Sequence, residues 1–204
     1  VTADLTHRWN QILSRITSQE FLANRGIGNE IACYVFDYDA SEELHMREYL
    51  GLMLERLHNY HSQLQVLHLN LLDLVVAYLN QRSLLDKAIA LEQSKGDGGL
   101  LKALKGPLTA EKIRDFIGAE YQPEEYDLLL ISGVGSVWPL LRAHSLLNCL
   151  HPILGHTPLV MFYPGRFDGK TLRLFGGIAS ESAKPGTEPY YRAFSLVPRE
   201  TSKC

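Results

Sequence analysis

The sequence predicts an α/β fold: one domain over 1–204 with a mostly parallel, doubly wound sheet of about five strands. Two observations carry this. Four short apolar runs, at 31–36, 64–70, 128–132 and 158–163, read as strands buried on both faces, with segments of helical periodicity between them. Towards the C-terminal end the pattern changes. Residues 170–175 and 190–197 alternate polar and apolar, as edge strands with one wet face do.

In chain order, Leu5, Trp9, Ile12, Leu13 and Ile16 recur at helical spacing and predict a helix over 4–17. A short helix over 18–24 stops at Gly26. After the first strand, Asp39 with Glu42 resembles a capping box that opens a helix over about 41–60. Its buried stripe is Met46, Tyr49, Leu50, Met53, Leu54, Leu57 and Tyr60. Asp73 is placed to cap the helix over 73–81 that follows the second strand. Residues 83–119 read as a helical insertion, broken at Gly96–Gly99 and at Gly106-Pro107, with Thr109 and Glu111 opening its last helix. The third strand runs through Gly133-Val134-Gly135 into a helix over 137–151 with Pro139 near its start. Gly, Ser, Ala and Pro crowd 176–189, which reads as a mobile surface loop.

Composition narrows the function. The 204 residues are 46% apolar and 21% charged, ordinary for a folded soluble protein. Lys and Arg number 20 against 23 Asp and Glu, a net charge of -3, so the basic excess of a protein that grips nucleic acid alone is missing. Weak, unselective binding to duplex DNA is expected. Cys33, Cys149 and Cys204 are too few and too widely spaced for a disulfide framework, and the first two sit in apolar segments as buried thiols. With no apolar run near ~20 residues, no membrane span is expected, and the location is read as cytoplasmic.

Chemical motifs are incomplete. Gly133 and Gly135 lack the third glycine of a dinucleotide fingerprint, whose place Trp138 takes. Gly165–Thr171 is one residue short of a phosphate-binding loop and leads into strand-like alternation rather than a helix. Asp37 and Asp39, closing the first strand, with Ser132 closing the third, are similar to the acidic site of haloacid-dehalogenase phosphatases. The acidic pair expected after the fourth strand is replaced by Phe162-Tyr163-Pro164-Gly165, and Asp39 has a second use as a helix cap. His58 with His61, and His151 with His156, find no further ligands for a tetrahedral metal site. Arg142 and His144 would point about 160° apart around their helix, flanking its buried stripe.

The order and spacing of several motifs resemble the BrxB family of BREX phage-defence systems. They are Gly26-Ile27-Gly28-Asn29-Glu30-Ile31, Tyr38-Asp39, Leu69-Asn70-Leu71, Gly133-Val134-Gly135 with Pro139, Arg142 and His144, Phe162–Gly165, and Tyr190-Tyr191-Arg192-Ala193-Phe194. The resemblance runs from about Phe21 to Phe194 and is weakest over 83–126. It implies a role in anti-phage defence through protein contacts with other BREX subunits, the alkaline-phosphatase-like PglZ first and the large ATPase second. It supplies no catalytic residues and no cofactor. The expected role is a non-catalytic adaptor, the alternative a small phosphohydrolase or nucleotide-binding enzyme using Asp37 and Asp39. The binding candidates are Gly133, Gly135, Trp138, Arg142, His144, Arg173 and Arg192.

Overall fold

Apolar runs too short to make helices and too apolar to face water become the strands of a six-stranded sheet. The computed structural model describes residues 2–23, 33–176 and 193–199. Its strands are β1 (Cys33–Tyr38), β2 (Val66–Asn70), β3 (Leu128–Ser132), β4 (Leu159–Phe167), β5 (Leu172–Leu174) and β6 (Ala193–Ser195). Five lie in the order β2-β3-β4-β1-β6, and every pairing among them is parallel. β5 pairs only with β4, antiparallel, as a hairpin on its overhanging end.

The helices are α1 (Ala3–Ile16), α2 (Gln19–Leu22), α3 (Glu43–Tyr60), α4 (Leu71–Gln81), α5 (Leu85–Leu104), α6 (Ala110–Tyr121), α7 (Val134–Val137) and α8 (Ala143–Leu154). Strand side chains alternate between two cores. Val35, Leu129, Ile131, Leu159 and Met161 meet α4, α6 and α8 on one face. Phe36, Leu128, Leu130, Val160 and Phe162 meet α1 and α3 on the other. Each fully buried side chain of this size contributes about 1.5–3 kcal/mol. From β1 the chain crosses by α3 to the far edge at β2, then returns through β3 to β4 with its helices on the opposite face. Reversal of direction together with a change of face keeps the crossovers of one hand. The carboxyl ends of β1, β3 and β4 therefore lie at the reversal point, where open α/β sheets offer a crevice.

Several local expectations change. Asn70, not Asp73, caps α4, its Oδ1 accepting from Leu72 N–H at 2.9 Å, so that helix begins at Leu71. Asp39 caps a 3-10 turn, Ala40–Glu42, before α3, and Glu42 leaves the capping box to accept from Thr2 N–H at 3.2 Å. Tyr60, expected in the buried stripe, is the last residue of α3 and lies exposed. The helix expected over 137–151 is two helices. Proline restricts the residue before it to extended backbone, and Trp138, at φ -70° and ψ 137°, ends α7; a cis peptide bond joins it to Pro139. The 83–119 segment is no separate insertion: α5, kinked at Gly96, places Ala88 and Leu104 in the core, and Ile113, Phe116 and Ile117 of α6 belong to it as well. Cys149 is half-buried, not buried as its apolar neighbours suggested. The loop expected over 176–189 lies outside the described residues beyond Gly176, as does Gly26–Ile31.

Candidate functional site

Asp37 is the strongest catalytic candidate in the sequence, and the fold surrounds it with arginines. Arg8 of α1 and Arg199, beyond β6, reach it from opposite ends of the chain. Arg8 Nη2 donates to Asp37 Oδ1 and Arg199 Nε donates to Asp37 Oδ2, both at 2.9 Å. Phe167 N–H donates to Oδ2 at 3.4 Å. All three nitrogens of Arg8 are engaged: Nη1 donates to the Asp37 carbonyl at 2.8 Å, and Nε and Nη2 donate to the Val197 carbonyl at 3.0 and 2.8 Å. Asp37 is 3% exposed and Arg8 1%. Burial pushes the Arg8 guanidinium below its ordinary pKa, and Asp37 opposes that shift. The Phe36 ring lies 4.5 Å from the same guanidinium. The arrangement is a clamp that ties α1, β1 and the C-terminal segment together.

The other acidic-site residues are dispersed. Asp39 is exposed and spends its carboxylate on Ser41, whose N–H and hydroxyl hold its pKa below the ordinary value. Ser132 closes β3, and β4 lies between it and β1, so their backbones are about 9–10 Å apart. Strand alternation also directs Asp37 and Ser132 to opposite faces. Ser132 is instead bonded to His68 of β2, Oγ to Nε2 at 2.8 Å. Burial lowers the His68 pKa, against an opposing effect of Asp73, so the ring is neutral near pH 7.

The binding candidates fall into two groups. Gly133 takes φ 73°, and a Cβ there would lie 2.5 Å from Asn70 Oδ1, so this turn requires glycine. Gly135 sits against Phe175 and Pro164, and Trp138 meets the Phe175 ring edge-on at 6.1 Å. The Gly133–Trp138 turn is therefore braced on the β4–β5 hairpin that carries Arg173. Arg142 lies apart: it is the exposed N-cap of α8 and lines a different cleft with Lys105 and Thr109. The helical-wheel argument for Arg142 and His144 fails, because Arg142 precedes the helix; His144 is half-buried. Arg192 lies outside the described residues.

A cleft of about 430 Å³ opens beside the clamp, lined by Asp37, Arg166, Asp168, Arg173, Ser195 and Arg199 among others. Arg8, Arg166, Arg199 and His68 escaped sequence reasoning. For Arg8 a signal existed: it stands three residues after Leu5 and four before Ile12, a charge inside the apolar stripe of α1. Among the described residues no group of three or more His, Cys, Asp or Glu is placed to hold a metal ion, and no helix is long and apolar enough to cross a membrane.

The chain is similar to known proteins over nearly its whole length. The family model described as BREX protein BrxB matches residues 67–196. A BREX protein BrxB from Escherichia coli is 40% identical over 194 residues, covering 95% of this chain and 92% of that protein. One from Bacillus cereus is 38% identical over 197 residues, covering 95% and 97%. No solved structure matches the chain.

Proposed function

The chain belongs to the BrxB family and is thereby a BREX component, and from that premise we propose that it acts as a non-catalytic adaptor of a BREX anti-phage defence complex. The observation that carries this reading is the clamp. Both Asp37 oxygens accept from arginines, and the group is buried. A buried carboxylate paired with two guanidiniums is held in place and made a weaker nucleophile and base. The phosphohydrolase alternative would need Asp37 and Ser132 together, and strand order separates them.

Protein contacts have a physical basis at the sheet edge. β6 ends the strand order, and its Phe194 is 51% exposed. A short edge strand with an apolar side chain suits pairing with a partner segment. Arg173, exposed on the neighbouring hairpin, supplies charge beside it. PglZ is the first candidate partner and the large ATPase the second.

The test is affinity purification of the tagged full chain from cells carrying the whole defence operon. A BREX subunit should co-purify, and Phe194→Asp should weaken that recovery while the purified variant keeps its circular dichroism spectrum. Recovery of no BREX subunit, or Mg²⁺-dependent phosphoester turnover by the purified chain, would overturn the reading.

A further inference from the structure

We propose that the cleft between the β4–β5 hairpin and the C-terminal segment is a binding site for a phosphomonoester or free phosphate dianion. This goes beyond the adaptor role and does not depend on it.

The argument begins with register. Arg166 of β4 and Arg173 of β5 are directly paired across the antiparallel hairpin. Like charges directly opposite one another are destabilising in a sheet. Arg173 has one loose counter-ion, Asp168, at 3.6 Å with both side chains exposed. Arg166 makes no hydrogen bond or ion pair among the described residues. Phe167 separates Arg166 from Asp168 along the strand, and Asp168 is committed to its own turn. It accepts from Lys170 N–H, Thr171 N–H and the Thr171 hydroxyl at 2.7–2.9 Å. Its single negative charge stands against Arg166, Lys170 and Arg173, so the hairpin keeps a positive excess.

The third guanidinium is Arg199. Its Nε is held by Asp37, and its Nη2 donates to the Gly165 carbonyl at 3.3 Å. Those bonds fix the plane of the group at the wall of the cleft. Asp37 is already neutralised by Arg8 from behind, so Arg199 brings a surplus charge to the cavity. Three guanidiniums, one of them preorganised, and Ser195 line the cleft with two carboxylates, Asp37 and Asp168; with Arg8 behind Asp37 the positive charges outnumber the negative ones.

Charge and shape select the ligand. Guanidinium forks pair with phosphate oxygens two at a time, and a dianion satisfies more of them than a diester monoanion. A volume of about 430 Å³ lies in the range of small-molecule sites. Nucleic-acid backbones are tracked instead by extended basic stripes, and a chain of net charge -3 has little surplus for one.

The experiment is calorimetric titration of the full chain with inorganic phosphate, in chloride buffer at fixed ionic strength. Saturable binding is expected. Arg166→Gln should weaken it about tenfold, the effect of losing one charged hydrogen bond. Arg166→Gln/Arg173→Gln should abolish it, with an unchanged urea midpoint. Arg166 makes no hydrogen bond or ion pair among the described residues, and its electrostatic neighbour Asp39 is exposed and bonded to Ser41, so the single variant remains informative even where the double variant is destabilised. Ribose 5-phosphate should compete with phosphate, whereas an oligonucleotide with only diester linkages should not. Absence of saturable binding, wild-type affinity in Arg166→Gln, or an oligonucleotide that outcompetes phosphate would each overturn the proposal.

Discussion

Replacing Arg8 with Met keeps most of the side-chain volume in α1 and removes the charge. The structure gives the scale of the effect. Four hydrogen bonds disappear, two at the Val197 carbonyl and two at Asp37. Buried groups stripped of their partner cost about 1–3 kcal/mol each, and breaking a buried ion pair from one side costs about 3–5 kcal/mol in all. Arg199 still contacts Asp37, and it is part-exposed, which keeps the cost near the lower end. Against a typical stability of about 5–15 kcal/mol, the urea midpoint of Arg8→Met should fall by a large fraction. The reverse deletion, Asp37→Leu, strands the buried Arg8 and should cost about as much. The double variant removes both charges, and an apolar pair in their place is often neutral or better. Arg8→Met/Asp37→Leu should therefore be more stable than the sum of the two single losses predicts, by at least about 1.5 kcal/mol. Strict additivity, or a single variant within about 0.5 kcal/mol of the wild type, would refute the clamp as a structural unit.

Three further outcomes follow from the same structure. Gly165→Ala should destabilise the chain by roughly 1–3 kcal/mol and loosen the hairpin, measurable as a lower urea midpoint and faster proteolysis near residues 165–175. A Cβ there would lie 2.2 Å from the Arg173 carbonyl oxygen. Burial lowers the folded-state pKa of His68, so the unfolded chain binds the extra proton first as pH falls. Stability from this group is present above the unfolded value of about 6.5 and is lost as pH drops through the lower folded value; His68→Gln should flatten that slope in urea titrations between pH 7 and pH 5. Burial pushes the Cys33 thiol up to about 12, so iodoacetamide at pH 8 should spare it in the folded chain and label it in urea, with the half-buried Cys149 labelled before it.

The strands were readable because both faces of this sheet are covered. β3 matches its expected bounds residue for residue, since Leu128–Ile131 are apolar on both sides and Asp127 and Gly133 punctuate them. Edges were less readable. Alternation over 170–175 and 190–197 located β5 and β6 but not their partners: β6 lies beside β1, a pairing that no local pattern encodes. Asn70 looked like the end of a strand and serves equally as the cap of α4, so the helix start was displaced by two residues. The clamp was invisible for a different reason. Its partners are 29, 162 and 189 positions apart in sequence, and periodicity reports only on near neighbours. Arg173 stands in the sequence as an edge-strand candidate, but its pairing with Arg166 depends on a hairpin register that neither residue's neighbours reveal.

The clamp also bears on how the chain is made. A ribosome delivers Arg8 and Asp37 early, but Val197 and Arg199 are the last partners to be synthesised. Until they emerge, the nascent chain has a charged pair with only half of its bonds, and β1 lacks its outer neighbour β6. Closure of the clamp thus waits until Arg199 has been added, with a long loop to close, and long-range closure is slow. A truncated product ending before Val197 would leave Arg8 without two of the four hydrogen bonds it donates and so loosen the hold on α1. In this way the fold couples the integrity of its last described residues to the docking of its first helix.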